Sequence, residues 1–167
     1  MQIKTLEVKN ISHYARGSEE TPCYNATVYI NGKRSIEVSN DGRGGCDMQH
    51  AYPSIEDRCL VQQANEWCVE KFGQHTWEHG GKTYSTDNDL EHVCHQALYD
   101  WLDSKTLKKD LNTKFLCQEE KEIFAYKKPK GYDEDEFKSV LRNRHPKAKC
   151  LNFMPFEDAL KLYKEYA

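Results

Sequence analysis

Long apolar runs are missing from this chain of 167 residues. A membrane span needs about 18 or more consecutive apolar residues, and none exists here. The N-terminal MQIKTLEVKN has no apolar h-region, so no secretory signal is read there and cytoplasmic residence is the expectation. Positive charge is not in excess either. Lys and Arg total 24 against 27 Asp and Glu, a formal net charge of -3, whereas a chain held to nucleic acid by bulk attraction is usually basic. No C-x-x-C pair occurs among the seven cysteines. Their odd number and the lack of an export signal read as reduced, structural thiols rather than a disulfide framework. The phosphate fingerprints G-x-x-x-x-G-K-[ST] and G-x-G-x-x-G are absent, as is H-E-x-x-H on a helix.

What is present begins with β patterning. Ile3 to Tyr14 alternates loosely, and Gly17-Ser18-Glu19-Glu20 breaks it. CYNATVYI (23–30) and KRSIEVSN (33–40) flank Asn31-Gly32, the strongest short hairpin signal, because both turn residues must tolerate positive φ. Ala26, Val28 and Ile30 share one face, as do Ile36 and Val38. The first forty residues therefore read as a three-stranded antiparallel meander.

SNDGRGGCDMQH (39–50) follows and reads as a connector from the last strand to a helix. Ser54 with Asp57 resembles an N-cap with an acid three residues on. Ile55, Cys59, Leu60, Ala64, Trp67, Cys68 and Phe72 mark one face of the first helix, and Gly73 stops it. A loop with Trp77 and Gly80-Gly81 leads to a second helix from about Asp87. Its stripe is Leu90, Val93, Cys94, Ala97, Leu98, Trp101 and Leu102. A short hairpin over 114–126, a basic linker 127–131, a helix over 133–144, a brief strand near 148–152 and an amphipathic helix over 156–166 complete the reading. The fold class is α+β, an antiparallel N-terminal β-meander packed against two central amphipathic helices with a small β/α C-terminal extension. Residues 1–127 read as the core and 128–167 as the helical extension packed on it.

Outward-pointing backbone amides in the glycine stretch, next to a helix N-terminus, suit an anion that Arg43 would clamp. The competing reading is that the glycines only build turns. Asn40, Asp41, Gly42, Arg43, Gly44, Gly45, Tyr52 and Trp77 are the candidate ligand or partner contacts. Asp41, Asp47 and His50 are the alternative set for a hard metal, and Cys46 with His50 the alternative nucleophile and base. His75 and His79 lie four apart in the Trp77 loop, and His92 and His95 flank the apolar stripe beside Cys94. Zinc would need four converging ligands, and no paired spacing supplies them. Lys127, Lys128, Lys130, Arg142 and Arg144, interleaved with Tyr126 and Tyr132, form a basic cluster that could track a nucleic-acid backbone. No catalytic residue and no cofactor is assigned.

The stretch ATVYINGK (26–33) followed by SNDGRGG (39–45) resembles a group of small proteins of tailed bacteriophages and of bacterial genomes carrying mobile elements. Their text shows an NGK hairpin and then NDGxGG. CLNFMPFEDAL (150–160) is similar to that group as well. No activity is attached to the group, so the resemblance carries over no catalytic residues. It implies a non-enzymatic accessory protein in the cytoplasm of a bacterial host that binds, with or without inhibiting, a host defence or regulatory protein or nucleoprotein. A nucleotide-binding protein using the glycine loop, and a metal- or cysteine-dependent hydrolase, are the alternatives.

Overall fold

The computed structural model describes residues 2–54 and 59–166. The fold is α+β and divides into two compact units, Met1–Tyr99 and Asp100–Ala167, with the division falling within one helix.

The first unit opens with a four-stranded antiparallel sheet in the order β1 (Leu6–His13), β2 (Cys23–Ile30), β3 (Lys33–Asp41), β4 (Met48–Ala51). The expected meander is its first three strands. The fourth was not expected, because MQHA is short and carries no branched residue. Asn31 (φ 50) and Gly32 (φ 77) make the two-residue turn with both φ positive that matches strand twist. Asn31 also fastens the N-terminal segment, accepting from the Lys4 and Thr5 amides at 2.8 and 3.1 Å and donating to the Gln2 carbonyl at 2.9 Å.

Tyr24, Ala26, Val28 and Ile30 of β2 are buried on one face, as are Ile36, Val38 and Asn40 of β3. The aliphatic members are those the alternation predicted. Tyr24 and Asn40 continue the same two-residue period, so each strand ends its inward face on a polar side chain.

Helix α1 spans Leu60–Phe72 and α2 Leu90–Thr113. The expected Ser54 cap rests on Asp57, which with Ile55 lies outside the described residues, and α1 begins later than expected. Its buried stripe is Leu60, Ala64 and Cys68, whereas Cys59 and Phe72 are exposed. Gly73 ends it with φ 68, its amide bonded to the Val69 carbonyl at 2.8 Å. On α2, Leu90, Cys94 and Leu98 are fully buried at a spacing of four. Asn65 of α1 joins these parts, donating to Gln49 of β4 at 3.3 Å and accepting from the Leu90 amide at 3.1 Å.

The expected Trp77 loop is instead a β-hairpin, β5 (Gln74–His79) and β6 (Lys82–Asp87), turned by Gly80-Gly81. Its strands lack aliphatic residues, so alternation did not mark them, although Gly-Gly between two alternating runs is itself a hairpin signal.

In the second unit a three-stranded sheet runs β8 (Glu122–Lys127), β7 (Lys114–Glu119), β9 (Lys149–Cys150). Helices α3 (Glu134–Arg144) and α4 (Phe156–Tyr166) complete it, close to their expected bounds. Asp133 caps α3 by accepting from the Asp135 and Glu136 amides at 2.8 and 3.0 Å. Successive residues of β7 feed opposite faces. Leu116 clusters with Leu107, Leu151 and Ala159. Phe115 and Cys117 cluster with Leu141 and Cys150. Side chains meet the carbonyls at the junction of α2 and β7: Asn152 Nδ2 reaches Leu111 O and Lys114 O, each at 3.0 Å, and Lys128 Nζ reaches Leu111 O at 2.6 Å.

Candidate functional site

The glycine stretch connects β3 to β4, not a strand to a helix. Its amides are used within the fold. Gly42 N donates to Asn40 Oδ1 at 2.9 Å, Arg43 N to Asp41 Oδ1 at 3.1 Å and Gly44 N to Thr21 Oγ1 at 3.2 Å. The Gly42 carbonyl receives the amides of Glu19, Glu20 and Thr21 at 2.9 to 3.3 Å. Gly42 has no room for a side chain, since a Cβ there would lie 2.0 Å from the Gly17 carbonyl oxygen. The expected anion cradle at 42–44 is therefore replaced by a self-bonded turn. Arg43 and Gly45 are exposed.

Beneath this turn is a polar cluster that the sequence reading did not assemble. Tyr24 and Asn40 face each other across β2 and β3. Tyr24 donates through its hydroxyl to Asp47 Oδ2, and Asn40 Nδ2 donates to Asp47 Oδ1 at 3.1 Å. His95 of α2 brings Nε2 to Asp47 Oδ1 at 3.2 Å and sets its ring edge-on to Tyr24. The Asp47 side chain is wholly inaccessible, while that of His95 is 28% exposed. Glu91 lies one turn before His95 on the same helix.

The electrostatics follow from this packing. Burial raises Asp47, but hydrogen bonds from His95, Tyr24 and Asn40 outweigh it and hold the carboxyl below its ordinary value. The Asp47 hydrogen bond lifts His95 above its ordinary value. Burial, then the Asp47 charge, raise Glu91. Burial drives the Tyr24 hydroxyl far upward, so it stays a donor.

Asp47, Glu91 and His95 each offer a ligand atom, all within 4.8 Å of one another, and could hold a divalent cation. This corrects the set expected from sequence. Of Asp41, Asp47 and His50, only Asp47 turns inward, and Asp41 and His50 are exposed. Cys46 is exposed as well, and among the described residues no hydrogen bond joins it to His50. Cys94 is buried and its thiol pushed up, chiefly by burial, which leaves it inert.

A second feature is the β5–β6 hairpin, every residue of which is exposed. Trp77 and Tyr84 are direct cross-strand partners, stacked at 5.7 Å and still 44% and 42% exposed. His75 stacks on Trp77 at 5.9 Å and on His92 of α2 at 6.1 Å. By alternation His79 and Lys82 share this face, and Thr76, Glu78, Thr83 and Ser85 take the other.

The remaining candidates are dispersed. Tyr52 is half-buried under the Arg34 guanidinium, 4.2 Å above its ring. Lys128 is committed to the end of α2 and lies over Phe115 and Tyr132, so it leaves the basic cluster. Lys127, Lys130, Arg142 and Arg144 are exposed. Tyr126 is tied through its hydroxyl to His145 Nε2 at 3.0 Å, and His145 Nδ1 donates to Glu119 at 2.8 Å.

No helix among the described residues is long and apolar enough to cross a membrane. No protein-family model, no curated protein and no solved structure matches the chain.

Proposed function

We propose that the chain is a non-enzymatic binding protein, of the phage or mobile-element accessory kind that its NGK and NDGxGG text resembles. It engages a host protein through the aromatic face of the β5–β6 arm. One observation carries this reading: Trp77 and Tyr84 form a stacked, half-open aromatic platform on a ribbon with no core of its own. Isolated two-stranded hairpins are marginal in water, and exposed paired aromatics are the side chains that anchor protein interfaces. Lys82 is the charged neighbour of the platform on this face, so the partner surface that complements it is apolar at its centre and carries an acidic group opposite Lys82. The test is affinity capture from a bacterial host lysate, with and without nuclease treatment, with the native chain and with Trp77→Ala/Tyr84→Ala. A stoichiometric protein lost only with the variant, whose melting curve is unchanged, supports the reading. Equal recovery by both chains overturns it, and recovery abolished by nuclease moves it to a nucleic-acid partner.

The 4.8 Å convergence of Asp47, Glu91 and His95 favours a second reading, a divalent cation bound beneath the glycine turn. Tyr24 and Asn40 would then orient the ligating carboxylate from behind. Titration with manganese or zinc, followed calorimetrically, tests it. Stoichiometric heat that vanishes in Glu91→Gln supports a site, and equal heat in that variant removes it.

A further inference from the structure

We propose that Cys117 and Cys150 are a modification site, forming a disulfide across β7 and β9 when the chain meets a hydroperoxide. The two residues are direct register partners in an antiparallel pair. Such partners project from the same face with Cα atoms about 4.5–5.5 Å apart, within the span a disulfide bridges. Both belong to the cluster under α3, and their thiols are hydrogen-bonded to each other. Among the described residues no other cysteines are partners across a ladder, and Cys23 of β2 pairs with Asp41. Cys68 and Cys94 lie on different helices, and Cys46 and Cys59 are exposed outside the strands.

The pair is chemically asymmetric. The Cys117 hydrogen bond, then the Asn152 backbone amide and the Lys128 ammonium, hold Cys150 low against the opposing effect of burial. Donating that bond, together with burial, drives Cys117 up. Cys150 is also the more accessible, at 7% exposure against none for Cys117. The Cys150 thiolate attacks one peroxide oxygen, an S–O bond forms as the O–O bond breaks, and the departing hydroxide takes up a proton as water. The Cys117 sulfur then attacks the Cys150 sulfur. The S–S bond forms, the S–O bond breaks, and the leaving oxygen departs as a second water with the Cys117 proton. Two thiols are oxidised and one peroxide is reduced to two waters.

The product closes the loop that carries β8 and α3, and pins β9, with the Asn152 hub that follows it, to the central strand. The test treats the full chain with equimolar hydrogen peroxide, denatures it, alkylates it and maps unreduced peptides. The expected result is a cross-linked peptide pair containing Cys117 and Cys150. The melting midpoint rises by roughly 10 °C and reverts with reductant. Cys117→Ala abolishes the cross-link and the rise. The map of the native chain stands by itself if that variant folds poorly. Recovery of Cys117 and Cys150 both fully alkylated, or of Cys150 as sulfinic acid with Cys117 free, overturns the proposal.

Discussion

Asn40 and Asp47 hold opposite ends of the glycine turn together. The Asn40 amide donates to Asp47 Oδ1 at 3.1 Å while its carbonyl oxygen takes the Gly42 amide at 2.9 Å and the Thr21 hydroxyl at 2.7 Å. One buried side chain thus spans the turn and orients the carboxylate that Tyr24 and His95 also meet. Asp47→Ala leaves the Tyr24 hydroxyl, the Asn40 amide and the His95 imidazole without their shared acceptor. A loss of about 3 kcal/mol is expected in urea unfolding of the native chain and the variant, because unmet buried donors cost more than a hydrogen bond gains.

The same cluster sets a pH dependence. Asp47 titrates below its ordinary 3.8 in the fold, so its contribution is present above that value and is lost as pH falls through the folded pKa. Glu91 titrates above its ordinary 4.5, so the fold loses stability as pH rises from there through the folded value. His95 titrates above its ordinary 6.5, so its contribution is full below 6.5 and is lost as pH rises further. Asp89 bears on Glu91 and His95 with the same sign as Asp47. Stability is therefore expected to peak on the acid side of neutrality, with a melting midpoint higher near pH 5 than near pH 8. His95→Gln flattens the alkaline limb, and a midpoint that rises steadily to pH 8 contradicts the assignment.

Two glycines of the turn separate space from conformation. Gly42 and Gly45 both have positive φ, at +84 and +89, but a Cβ at Gly42 meets the Gly17 carbonyl and one at Gly45 meets nothing within 4 Å. Gly45→Ala is expected to cost about 1 kcal/mol, the ordinary penalty for a left-handed L-residue. Gly42→Ala must also displace the 17–21 backbone and costs several-fold more. Thermal melts of the two variants give that order.

Local signals made much of this fold legible. Asn31-Gly32 forecast the β2–β3 hairpin, and Asp133 followed by three acids forecast the start of α3. Long-range pairings were not legible. Asp47 and His95 stand 48 positions apart, and nothing in either neighbourhood names the other. A partial clue was present. Tyr24 and Asn40 fall on the inward period of their strands, and a buried polar residue demands a partner. The β5–β6 arm escaped for the opposite reason, since a ribbon with no buried face has no hydrophobic alternation to display.

That lack of burial is expected to leave the arm less protected than the central strands of the first sheet. Its amides are expected to exchange with solvent deuterium far faster than those of Ala26, Val28 and Ile36. Trp77→Ala is expected to speed exchange within 74–87 while changing global stability by less than about 1 kcal/mol. Protection of the arm equal to that of β2 would mean that something already covers it.

Asn152 is the corresponding keystone of the second unit. Its amide meets the Leu111 and Lys114 carbonyls, and its oxygen takes the Leu116 amide at 2.9 Å. One side chain therefore ends α2, starts β7 and positions the segment between β9 and α4. Asn152→Ala removes these three bonds at once, together with the longer one from the Cys150 thiol at 3.7 Å, with an expected cost of about 2–3 kcal/mol. Asn152→Asp isolates the two roles, because the carboxylate still accepts from Leu116 but faces two carbonyls it cannot donate to. The aspartate variant is expected to be at least as unstable as the alanine variant. If it is instead the more stable, the hub works chiefly through the Leu116 amide, and Lys128 suffices for the Leu111 carbonyl.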